Sequence, residues 1–122
     1  MNETGIILRS WSGRIRTEDE FEYVRYLETT VVKDFESTPG HLGYQLLIRT
    51  LRDGVSEITA LSWWRDMDAV RIFAGPQFEH SRYYPTDGRY LLGRSELVEH
   101  HRLFSNTVTL APAPYSPGGG DN

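Results

Sequence analysis

A chain of 122 residues has room for one compact domain of about 100 ordered residues plus a tail, and two full domains are excluded. Hydrophobic residues at 39% beside charged residues at 25% make a globular composition in which a core can form, while the lack of cysteine excludes disulfide frameworks, thiolate metal sites and thiol nucleophiles. Seventeen acidic against 13 basic residues leave a net charge of -4, which disfavours nucleic acid as a partner.

The N-terminal MNETGIIL has no basic region, and no apolar run is long enough to span a bilayer, so a cytoplasmic protein without membrane contact is expected. Residues 5–16, GIILRSWSGRIR, are rich in β-branched and aromatic residues and predict a first strand. In Thr17-Glu18-Asp19-Glu20 the threonine hydroxyl and the glutamate carboxylate are spaced for a reciprocal capping box. Phe21, Val24, Leu27, Val31 and Phe35 then recur at helical spacing, which predicts one helix ending before Pro39-Gly40.

His41 to Arg52 and Val55 to Trp64 flank Asp53-Gly54, a dipeptide suited to the positive φ angles of a two-residue hairpin turn. Asp66 is placed to cap a short helix through Phe73, closed by Gly75-Pro76. From Gln77 to Gly93 the pattern is irregular and predicts a brief polar-aromatic helix and a loop, followed by a last strand over Glu96 to Phe104. The Pro- and Gly-rich residues 105–122 read as a flexible C-terminal tail after a domain spanning 1–104, dispensable for folding beyond about Ala113.

The order β-α-β-β-α-β is the ferredoxin-like α+β pattern, one antiparallel sheet carrying two helices on one face. Apolar residues on both sheet faces call for a second copy of the chain, with Val98 or Leu97 and Leu61 or Ile58 inside a shared barrel.

The segment from Leu61 to Gly75, LSWWRDMDAVRIFAG, resembles the third-strand to second-helix junction of the antibiotic biosynthesis monooxygenase family, whose members are dimeric α/β barrels. Pro39-Gly40, the Asp-Gly hairpin, Tyr84-Pro85 and Val98-x-His100 extend the resemblance across residues 5 to 104. It implies a homodimer and a pocket for an aromatic or polyketide-type molecule. Family members oxygenate electron-rich polyphenols with no metal or flavin, degrade heme, or cyclise and isomerise small molecules. Trp64 matches the tryptophan that lines the monooxygenase pocket, whereas Ala60 and Val70 stand where that branch has an asparagine and a tyrosine. The heme-degrading branch is disfavoured, because its asparagine, tryptophan and histidine fall near Arg9 or Ser10, Phe73 and Tyr83.

His100 and His101 are neighbours on a strand and point to opposite faces, so only one serves any given site. His100 is the favoured general base for removing a phenol or enol proton, against a purely structural histidine at the sheet or dimer interface. His80 is the next candidate base, with a solvated surface histidine as the alternative, and His41 reads as structural. Arg82 is a candidate to stabilise an oxyanion, as are Arg9 and Arg65. Trp11, Trp64, Phe73, Phe78, Tyr83, Tyr84 and Tyr90, with Trp63, supply the aromatic surface from which a substrate pocket would be drawn. The four histidines are too scattered for a metal site.

No cofactor is expected, since the chain has neither a nucleotide-binding glycine loop nor a metal or thiol motif. The leading expectation is a cofactor-independent monooxygenase of secondary metabolism acting on a hydrophobic aromatic molecule. A cyclase, dehydratase or isomerase using the same pocket, or a non-catalytic small-molecule-binding accessory protein, are the alternatives.

Overall fold

The computed structural model describes residues 5–81, 84 and 87–109. Strand β1 (Ile7–Arg16) leads through a single 3₁₀ turn (Thr17–Asp19) into helices α1 (Glu20–Thr29) and α2 (Val31–Glu36). Strands β2 (His41–Arg52) and β3 (Val55–Trp64) form a hairpin, followed by helix α3 (Met67–Ala74), a one-turn helix α4 (Asp87–Tyr90), and strands β4 (Leu91–Arg94) and β5 (Glu99–Arg102). The sheet order is β2-β3-β1-β4, with β5 also pairing β1, and every pairing is antiparallel. This is the expected ferredoxin-like α+β fold, with a fourth strand divided into β4 and β5.

Alternation sets the two faces of the sheet. Ile7, Arg9 and Ile15 of β1 pair with Trp64, Ser62 and Ser56 of β3, and all of them are buried beneath the helices. Leu8, paired with Trp63, and Leu61, paired with Ser10 and Gln45, belong to the opposite face, which carries no helix. Ile58 and Val98 are buried on the helix side, so of the residues proposed for a barrel interior only Leu61 lies on the uncovered sheet face. Leu97 is exposed just ahead of β5.

Several local expectations change for identifiable reasons. The Thr17–Glu20 capping box does not form: the Thr17 hydroxyl meets Ser56 Oγ at 2.9 Å, and Ser56 donates to Glu20 at 2.5 Å. A buried serine on β3 needs partners, and it takes both groups from the helix start. The single long helix is two helices, broken at Thr30 (φ -120°, ψ -91°), whose hydroxyl turns back to the Tyr26 carbonyl at 2.8 Å. At the hairpin only Gly54 has positive φ (+76°), and a bulge between Thr50 and Arg52 absorbs the extra residue. The Asp66 cap forms as expected, its carboxylate accepting the Ala69 amide at 2.9 Å, and α3 stops at Gly75 with φ +82°.

The last strand is shorter than Glu96 to Phe104, because residues 96–98 leave β1 and pair with residues 79–81. Ser81 donates to the Glu96 carbonyl at 3.0 Å, Val98 donates to the Glu79 carbonyl at 2.9 Å, and His80 bridges Leu97. Pro76–Glu79 form turns in place of the expected brief helix, and β4 and α4 occupy a stretch read as loop. Ser105 to Thr109 are exposed and irregular, while the remaining tail lies outside the described residues.

Two hydrophobic clusters fill the space between sheet and helices. One gathers Ile7, Val32, Phe35, Trp64, Val70 and Phe73 around α2 and α3, and the other gathers Ile15, Tyr23, Val24, Leu27 and Ile58 beneath α1. Val31, just after the helix break, packs against both.

His41 stacks on Phe35 with ring centroids 5.4 Å apart and meets Trp64 edge-on at 5.0 Å. Burial lowers its pKa below 6.5, opposed by a backbone hydrogen bond at Gly43 and by the nearby Glu36 charge, and its buried Nε2 has no partner among the described residues. The unfolded chain therefore binds the proton first as pH falls, so stability is full above pH about 6.5 and declines below it until the folded value is passed. Denaturant titrations between pH 8 and 5 should show this decline, and His41→Phe should flatten it. Equal pH dependence in the two proteins would show that His41 does not titrate within the fold.

Candidate functional site

The break between α1 and α2 leaves a gap over the centre of the sheet, between the two clusters. The resulting cleft is open at its mouth and lined mainly by apolar and aromatic side chains. Its helix wall is Tyr23 and Leu27 of α1 and Val31 and Phe35 of α2, its far side is Phe73 of α3, and Tyr84 closes one edge. Its floor is the sheet: Arg9 and Trp11 of β1, Ala60 of β3 opposite Trp11, and Val98. Alternation puts Arg9 and Trp11 on the same face of β1, two residues and therefore about 7 Å apart.

Among the described residues Arg9 is the one cation in the cleft wall, and it is 5% exposed. A buried guanidinium requires acceptors, and the irregular chain after α3 provides them. Nη1 donates to the Phe78 carbonyl at 2.6 Å, Nη2 donates to the His80 carbonyl at 3.3 Å, and the guanidinium stands over the Phe73 ring at 5.5 Å. Nη1 also lies 3.0 Å from His100 Nε2. Arginine has no acceptor, so the imidazole lone pair at Nε2 receives this bond and the ring proton sits on Nδ1. His100 is opposite Arg9 in the β1–β5 register and rests edge-on against Phe78 at 5.8 Å. It is thus a neutral ring held behind Arg9, and it does not itself form the cleft wall.

The other charged and polar groups fall around this centre. Tyr84 donates to Asp34 at 2.5 Å, tying the cleft edge to α2. The two other tryptophans are satisfied by side chains, Trp63 Nε1 by Gln45 at 2.8 Å and Trp64 Nε1 by Ser62 at 2.9 Å. Trp11 Nε1 is buried and has no partner among the described residues. Within those residues, no three His, Asp or Glu side chains gather into a metal-holding group.

Of the residues singled out in the sequence, Arg9, Trp11, Phe73 and Tyr84 meet in the cleft wall. Trp64 does not, because it lies at the far end of β3 opposite Ile7, fully buried against Phe35 and Phe73. Phe78 packs beside the first cluster and acts through its carbonyl, and Tyr90 packs at a tilt against Tyr23 and Tyr26. The His80 side chain is exposed, its backbone holding Arg9. His101 faces the uncovered side beside Glu99, and Arg65 is exposed beside Asp66. Arg82 and Tyr83 lie outside the described residues. Leu27, Val31 and Phe35 were legible only as part of a helical core face and Tyr23 was not singled out, since helical spacing marks what is buried and not where a gap opens.

The sequence matches no protein-family model and no curated protein sequence. Solved structures do match. A Bacillus cereus protein provisionally named an antibiotic biosynthesis monooxygenase superposes with a TM-score of 0.60 at 11% identity, over 86% of this chain and 99% of that one. A Shewanella oneidensis protein matches with a TM-score of 0.54 at 15% identity, over 83% and 93% of the two chains. SnoaB, a cofactor-independent oxygenase from Streptomyces nogalater, is 23% identical over 92% of this chain and the whole of that one, with a TM-score of 0.47. The likeness is one of fold: this chain shares the ferredoxin-like α+β fold of the Bacillus cereus and Shewanella oneidensis proteins.

Proposed function

We propose that the protein is a cofactor-independent monooxygenase of secondary metabolism whose substrate is a flat, electron-rich aromatic molecule of the polyketide type. The observation that carries this reading is Arg9, buried and the one cation among the described residues of an otherwise aromatic and aliphatic cleft wall. Such a pocket binds an apolar ring system and selectively stabilises negative charge developing on one of its oxygens. A phenol or enol bound there loses its proton readily, and the resulting carbanion is electron-rich enough to react with dioxygen. For an anthrone-type substrate the balance is complete: the ring CH₂ becomes C=O, one oxygen atom enters the product, the other leaves as water, and the substrate itself supplies all four electrons. Arg9 is the oxyanion-stabilising group, and His100 positions it by accepting its hydrogen bond.

A second role for His100 is supported by the same bond, which keeps the imidazole neutral: it is the proton acceptor once a substrate oxygen takes its place against Arg9. The two roles separate by substitution. Oxygen uptake with 1,8-dihydroxyanthrone, without added metal or flavin, should reach one O₂ per quinone formed and exceed the buffer rate. Arg9→Gln should lower turnover by about 10²-fold or more. His100→Gln retains an acceptor for Arg9 and should keep turnover near wild type, whereas a base would cost about 10²-fold in this variant as in His100→Ala. No acceleration over buffer across hydroxylated anthrones contradicts the reading.

The reading includes a homodimer formed through the helix-free sheet face. Leu8, Leu61 and Trp63 lie there, together with Leu47, which is 48% exposed. Sedimentation at micromolar concentration should give twice the chain mass of 14.1 kDa, and Leu61→Arg should shift it toward monomer. A stable wild-type monomer would remove the dimer from the account.

A further inference from the structure

We propose that the Trp11 indole N–H is the cleft's selector for a ligand oxygen, an acceptor such as a ring ketone or phenolate. This inference rests on the aromatic-ligand reading of the cleft and adds the polar feature that the ligand must carry.

Among the described residues, side-chain acceptors serve Trp63 and Trp64 and none serves Trp11, although all three belong to the same pair of strands. The unpaired indole is the one at the cleft. A buried N–H without an acceptor costs about 1–3 kcal/mol, so a fold that leaves one at a cavity wall gains whatever the occupant returns. The residue directly opposite Trp11 in the β1–β3 register is Ala60, whose methyl group offers no acceptor and leaves room above the sheet.

The ring is also held in place. A Cβ on Gly13 would lie 2.8 Å from Trp11 Cη2 and 2.9 Å from Leu91 Cδ2, so the indole lies across a position that only glycine leaves open. Arg9, two residues earlier on the same strand face, lies about 7 Å along the floor. A planar ligand therefore meets a neutral donor at Trp11 and a charged one at Arg9. Trp11 reads the presence of an acceptor, and Arg9 stabilises charge. The fit is to a polycyclic aromatic with two separated oxygens, in place of a plain hydrocarbon or a ligand with one polar end.

Fluorenone and fluorene test the claim, since they share size and flatness and differ in a carbonyl against a methylene. Trp11→Phe should weaken fluorenone binding about tenfold and leave fluorene affinity within about twofold. In the wild-type protein the Trp11 indole N–H resonance should move downfield with fluorenone and not with fluorene, the Trp63 and Trp64 resonances serving as internal references. This second measurement decides the question if Trp11→Phe does not fold. Equal losses for both probes, or an indole resonance indifferent to the carbonyl, would overturn the role of Trp11 while leaving the aromatic cleft intact. Failure of both probes to bind wild type would overturn this inference together with the aromatic-ligand reading.

Discussion

A guanidinium cannot be taken out of water without acceptors, and the burial of Arg9 at 5% exposure sets the arrangement of everything near the cleft. The partners it recruits come from three places distant in the chain: the Phe78 and His80 carbonyls after α3, and His100 on β5. These bonds pin a stretch with no regular structure of its own onto the sheet. The same stretch then borrows residues 96–98 from the last strand, which explains why that strand divides into β4 and β5. The polar requirement of one side chain thereby shapes both the cleft and the edge of the sheet.

The cleft itself is a consequence of incomplete coverage. Two clusters pack against the helix side of the sheet, and the chain between them breaks at Thr30, so the helices diverge from a straight path over the centre. Beneath that gap lies the smallest side chain of the floor, Ala60, opposite Trp11, whose ring is laid over Gly13. Aromatic side chains define the cleft because they are large and stiff enough to hold an opening that aliphatic chains would close. What remains among the described residues is an apolar slot with one fixed cation, an environment in which electrostatic stabilisation of an oxyanion is much stronger than in water.

Much of the fold was legible where a local rule and the tertiary demand coincide. The hairpin strands bounded by Asp53-Gly54 and the Asp66 cap follow from turn and cap chemistry alone. Where a distant partner intervenes, local rules mislead: Ser56 takes the hydroxyl and carboxylate that Thr17 and Glu20 would have exchanged. The site was half legible. Alternation along β1 places Arg9 and Trp11 on one face, and the aromatic content marks Phe73 and Tyr84, but nothing local distinguishes Trp11 at the cleft from Trp64 in the core. That distinction depends on which tryptophan lies under the helix break. His100 was legible as a neutral imidazole on the final strand, whereas its bond to Arg9 requires the β1–β5 register.

The central claim, that Arg9 makes the cleft favourable to an oxyanion, has a direct measure in the ionisation of a bound hydroxyanthraquinone followed by its visible absorption. Burial in an apolar slot alone raises a phenol's pKa, and a nearby guanidinium lowers it, so the sign of the shift reports which effect wins. The account predicts a pKa below the value in water for the wild-type complex and above it for Arg9→Gln. A raised value in the wild-type complex would contradict it.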